Sequence, residues 1–226
     1  MGTLPIDRII RSSRKTIALD ITGDARLIIR APIKTPVPVI WDIVLEKREW
    51  IERKIAEAAL RPTVPAPEFV TGDTFLFLGM PRTLQVSPEL REPFLAGNRI
   101  VIPDVPGADP EKILKDWYKS EAKRIIPVRS ALFSEITGLT PSHVGITDAT
   151  HRWGSCSSDR RINFSWRLIM APAHVIDYVV VHELVHLEQH NHSKKFWNRL
   201  GDFIPDYEKH RKWLIDHQRV MLAWGR

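Results

Sequence analysis

The chain has 226 residues, 43% of them hydrophobic and 27% charged, with eight tryptophans. That composition excludes a disordered chain and allows one sizeable core or a smaller domain joined to a larger one. A single cysteine, Cys156, excludes an intrachain disulfide and a Cys-rich structural zinc site, and the net charge of +6 is compatible with an anionic partner although Lys and Arg are scattered.

The opening MGTLPIDRII has no basic segment followed by an apolar stretch, so no secretory signal is expected. The longest apolar run, Tyr178 to Val181, is far too short to span a bilayer. No membrane association is expected, and the lone cysteine suits a reducing, cytoplasmic location.

Loose alternation over residues 8–35 predicts two strands, 16–21 and 25–30, joined at Thr22-Gly23-Asp24. Ile40, Ile43, Val44, Trp50, Ile51 and Ile55 recur at helical spacing and predict one helix of about five turns. Residues 61–68 are a Pro-rich connector. A hairpin follows, with strands 74–78 and 83–86 around Gly79-Met80-Pro81, then one short strand at 100–102.

Asp109 and Pro110 are a cap and first residue for a long helix ending at Gly138, which Pro127 kinks or divides. HVGITDATHRWGSC and RRINFSWRL predict two strands. Pro172 opens a helix read through to His190, with a wide apolar stripe of Val175, Ile176, Val179, Val180, Leu184 and Leu187. Two further helices start near Ser193 and Asp206. The elements predict an α+β fold. A strand-rich region with one long helix fills 1–106, and a helical, metal-binding catalytic region with a short sheet fills 107–226.

The chemistry concentrates in His182-Glu183-Leu184-Val185-His186. Histidines four apart share a helical face and can grip one ion. Glu183 is then the expected general base toward water on that ion. A catalytic zinc takes three protein ligands, and His192 is the expected third, presented by a turn in which Asn191 adopts left-handed geometry. His190 and Glu208 are rival ligands; His210 and His217 read as surface or packing residues. Cys156 reads as a buried small hydrophobe. Gly154, between Trp153 and Ser155, implies a close backbone approach near a strand end. Asn163 and Trp166 fall on a strand whose edge would suit an extended peptide, and Arg152, Arg161 or Arg167 would suit a carboxylate or phosphate.

Four segments together carry a family resemblance: RWGSC at 152–156, SWRL at 165–168, VVHELVH at 180–186 and NHSKKFW at 191–197. With weaker support from LGMPRTLQV at 78–86 and from LEKREWIERK, the chain closely resembles the YgjP-like metallopeptidase-domain family. Ser165 departs from it, standing where many relatives have Asn before the Trp. The resemblance implies a zincin-like catalytic region, with His182, His186 and His192 as ligands to one Zn2+ and Glu183 as catalytic base. It also implies kinship with SprT-like proteases, some of which act on DNA-bound proteins. The expected function is zinc-dependent peptide hydrolysis of a peptide or protein substrate, with no obligate protein partner evident. The alternatives are a metal-dependent nucleoside triphosphate pyrophosphohydrolase, which the arginines at 152–167 motivate, and a nucleic-acid-associated module with a structural metal. For the oxyanion-stabilising donor, Arg152 and the Tyr207 region are the candidates.

Overall fold

The structure, a computed structural model, describes residues 6–22, 25–59, 67–222 and 224–225. It divides into two units, Met1–Pro65 and Ala66–Arg226. Residues 1–5, the Gly23-Asp24 part of the expected turn, and the expected connector up to residue 66 lie outside the described residues.

In the first unit, alternation in β3 (Leu27–Pro32) turns Leu27, Ile29 and Ala31 into the core. β3 pairs in parallel with β1 (Arg8–Ser12) and antiparallel with β2 (Ala18–Ile21), so it is the central strand. β1 is a strand beyond the two predicted. Its partner lies 20 residues away (Arg8 opposite Ile28), so no local turn announces it. The predicted five-turn helix is two, α1 (Val37–Glu46) and α2 (Arg48–Ala59), separated only by Lys47. Ile40, Val44 and Ile51 from these helices complete the core.

In the second unit, β4 (Thr74–Phe77), β5 (Met80–Ser87), β6 (Phe94–Ala96) and β7 (Arg99–Pro103) form a sheet in the order β4-β5-β7-β6. The β4–β5 turn is Leu78-Gly79, one position earlier than predicted, with φ of 51° and 77°. Positive φ at both central residues gives the strand twist that a two-residue hairpin needs. The amides of Leu78 and Gly79 donate to Ile169 and Met170 carbonyls at 2.9 Å, anchoring the hairpin tip.

Asp109 caps α3 (Pro110–Thr137) by accepting from the Glu111 amide at 3.0 Å, and Gly138 ends it in left-handed geometry. Pro127 leaves the helix continuous. Trp117 and Tyr118 of α3 pack on Phe77 of β4, and the Tyr118 hydroxyl donates to the Leu76 carbonyl. These contacts bind α3 to the β4–β7 sheet, so the expected boundary at 106/107 falls inside the second unit and the division comes at 65/66.

The segments predicted as two strands make three: β8 (His143–Thr147), β9 (Gly154–Cys156) and β10 (Arg161–Ser165), in the order β8-β10-β9. The chain leaves the sheet after β8 at Asp148, which is tied to Trp166, Arg167, Lys115 and Lys119. SWRL is strand only at Ser165; Trp166–Met170 is a 3₁₀ turn, wholly buried. The unit's core then gathers around α4 (Ala173–Val185), flanked by α5 (Lys194–Phe203) and α6 (Tyr207–Met221). Among the described residues no helix is long and apolar enough to cross a membrane.

Candidate metal centre

α4 is apolar on almost every side: Val175, Ile176, Val179, Val180, Val181, Leu184 and Val185 are all buried. A helix so enclosed is a rigid platform. His182 projects from its last full turn, and His186 is its C-cap. The helix therefore stops five residues short of the expected end. The amides of Leu187, Glu188 and Gln189 turn back onto carbonyls of Leu184 and Val185. The reversal does not use left-handed geometry at Asn191, as expected; instead the Asn191 side chain accepts from the Ser193 amide at 3.2 Å.

This turn brings His192 back over α4. One nitrogen from each of His182, His186 and His192 lies within 4.8 Å of the others. His182 and His192 face each other Nε2 to Nε2 at 3.0 Å. The exposed His190 and Glu208 stand outside this cluster.

The donor set fits a zinc-class cation on three counts. Nitrogen ligands at tetrahedral zinc stand about 3.3 Å apart, close to the separation of His182 and His192. The His186 Nδ1 lies 2.9 Å from the Gln189 carbonyl; donating there, it leaves Nε2 as the free lone pair. Burial, then the nearby His186, His192 and Arg211, pushes His182 down to about 3, and burial lowers His186 as well. Both rings are neutral at pH 7, the form that binds metals.

Glu183 sits between the two α4 histidines in sequence and is 5% exposed. Burial pushes its carboxyl up to about 8 against the opposing pull of Arg152. The side chain lies flat against Gly154 of β9: a Cβ there would stand 2.5 Å from Glu183 Oε1 and 2.7 Å from Cδ. The close approach expected at Gly154 is thus an approach to Glu183, so the RWGSC segment is a wall of the site.

Phe196 and Trp197 carry a role the residue patterns left unassigned. The Phe196 ring lies 4.6–4.8 Å from all three imidazoles. Trp197 stacks on His192 at 5.5 Å, and Tyr207 stacks on the other side of Trp197 at 5.2 Å. Their only early sign was membership of NHSKKFW.

Other singled-out residues serve the fold. Arg167 is fully buried, donating to Asp148 and to the Gly225 carbonyl. Arg161 pairs with Asp159 in the β9–β10 turn at 2.8 Å. Trp166 is a core residue whose Nε1 donates to Asp148, and Asn163 lies on the central strand β10, its amide over Gly145. The strand beside the histidine helix is therefore β9, an edge strand of its sheet. Burial, then Glu183, raises the Cys156 thiol, as befits a packing residue.

A trio of histidines gathered at the end of a helix, with a buried carboxylate beside it, is the equipment of a metal-dependent hydrolase. The family model described as YgjP-like, metallopeptidase domain, matches residues 15–217, and the chain belongs to that family. No curated protein matches the chain. Among solved structures it is similar to the metallopeptidase zymogen abylysin of Pyrococcus abyssi, at 18% identity, covering 42% of this chain and 96% of that one, with a TM-score of 0.38.

Proposed function

We propose that the protein is a zinc-dependent peptidase in which His182, His186 and His192 hold one Zn2+ and Glu183 is the general base. The convergence of the three imidazoles within 4.8 Å at the end of a buried helix carries this reading. Zinc held there would supply Lewis acidity toward a carbonyl and acidify water.

The remaining work falls to the chain's own groups. Glu183 takes the proton of the attacking water on a carboxylate oxygen and hands it to the departing amine. Its position is fixed by Gly154 behind it and by the helix that carries it. Burial alone places its carboxyl near neutrality, where a proton acceptor is also a competent donor, and a nearby dication acts in the opposite sense, toward the ionised form. Arg152 is the cation whose charge reaches Glu183, and it is our assignment for the donor that steadies the oxyanion. The edge of β9 left unpaired by β10 would hold an extended substrate through main-chain hydrogen bonds.

Support for a nucleotide substrate weakens, because Arg161 and Arg167 are occupied within the fold. The test is hydrolysis of an unstructured protein and of nucleoside triphosphates by the zinc-loaded chain and by Glu183→Gln. Peptide cleavage that disappears in the variant supports the proposal; triphosphate cleavage alone overturns it.

A further inference from the structure

The polar face of α4 does not end at the histidines. His174, Tyr178, His182 and His186 follow one another at four-residue intervals on one side of α4, with Tyr178 itself buried. The Tyr178 ring lies 5.9 Å from His182 and 6.1 Å from His210 of α6. Beyond it, His174 and His210 stand 5.1 Å apart on the wall of a cavity of about 540 Å³, completed by Asp206, Lys209 and Trp213. Tyr178 thus connects the histidine cluster to a second depression along the same helix.

The charges around this path are unequal. Asp206 is the one carboxylate lining the cavity among the described residues, and it already faces His210 Nε2 at 3.2 Å and Lys209 Nζ at 3.8 Å. Arg211 follows His210 on α6, with its guanidinium 5.7 Å from the Trp197 ring that backs His192. It is near enough to influence both His182 and Tyr178. A permanent cation therefore stands near the histidine cluster, one residue along α6 from a cavity whose own carboxylate already faces Lys209.

We propose that this cavity and Arg211 form a substrate subsite for a carboxylate, so that the peptidase acts next to an acidic side chain or a chain terminus. The proposal rests on the peptidase reading above. A peptide extended through the cluster would pass Tyr178 and set its carboxylate against Arg211, with Lys209 and the two imidazoles behind. Arg–carboxylate pairing of this kind discriminates by charge and by fork geometry together.

The test uses the full chain as zinc-loaded Glu183→Gln, which holds substrate without turning it over, and fluorescent peptides followed by anisotropy. One set is C-terminally amidated and carries Glu or Gln at a single scanned position; a second has no acidic residue and a free or amidated terminus. Zinc content is measured on every variant. The expected result is a preference of about tenfold for Glu at one position, or for the free terminus, which names the source of the carboxylate. Adding Arg211→Ala reduces it to within about twofold at unchanged zinc content, whereas Arg211→Lys retains part of it. Equal binding of paired peptides, or a preference that survives Arg211→Ala, overturns the subsite and leaves the peptidase reading standing. Failure of every peptide to bind the zinc-loaded protein overturns both.

Discussion

The second unit contains two polar clusters that invite comparison. Around Asp148, one carboxylate gathers four donors. Its carboxylate takes hydrogen bonds from Trp166 Nε1 at 2.8 Å and Arg167 Nη1 at 2.7 Å, with Lys115 and Lys119 at 3.3 Å. Burial pushes this acid up, but the four donors outweigh it and hold the carboxyl well below the usual range. Around His182 the pattern differs: two imidazoles are kept neutral by burial, and a carboxyl is driven toward its protonated form. A carboxylate tied to several cations is what a protein builds to hold itself together. Converging neutral imidazoles are the form that binds a metal.

This contrast is broken most sharply at Glu183. Changing Glu183→Gln keeps shape and removes the base, so peptide turnover should fall by about 10²–10⁴-fold. Steady-state kinetics at matched zinc content will measure it, and zinc content itself should not move. Gly154→Ala attacks the same cluster without touching a member. Its Cβ would collide with the Glu183 carboxyl, so either the carboxyl or β9 must shift. Turnover should drop by at least about tenfold, with a stability loss of about 1–3 kcal/mol in chemical denaturation.

Asp148→Asn should produce the opposite signature. It leaves the fully buried Arg167 short of its counter-ion, while zinc content and turnover per folded molecule stay as they were. Because the Asp148 side chain is 45% exposed, the loss should be about 2 kcal/mol, below the 3–5 of a wholly buried pair. The pH dependence has a definite sign. The folded-state pKa is depressed, so this stabilisation is complete above about pH 4 and is lost as pH falls toward the depressed value. Thermal melts should therefore separate the two proteins at pH 7, with the gap narrowing steadily as pH falls below about 4. The smallest effect expected is that of Trp197→Ala. It removes the ring stacked on His192, the one exposed ligand, and should weaken zinc binding by about tenfold in a competition titration with a chelator.

Much of the site was readable because its signals are local. His182, Glu183 and His186 share one helical turn, and an Asp-Pro start with a Gly stop delimits α3. What escaped depends on contacts distant in sequence. β1 exists because β3 offers it an edge. The strand expected through Trp166 ends early because the indole and Arg167 turn inward to Asp148, 18 and 19 residues back. Gly154 announced a close approach, but not that Glu183, 29 residues on, was the group approached. The early end of α4 has no Gly or Pro to mark it. It is set by a backbone turn over Leu184–Gln189, whose carbonyl at Gln189 also takes the His186 ring.

Whether three histidines hold one metal is read from metal analysis of protein purified without added metal. One zinc per chain is expected in the native protein, in Glu183→Gln and in Asp148→Asn, and its loss in His192→Ala. A chain without zinc, or one that keeps it when His192 is gone, would contradict the assignment.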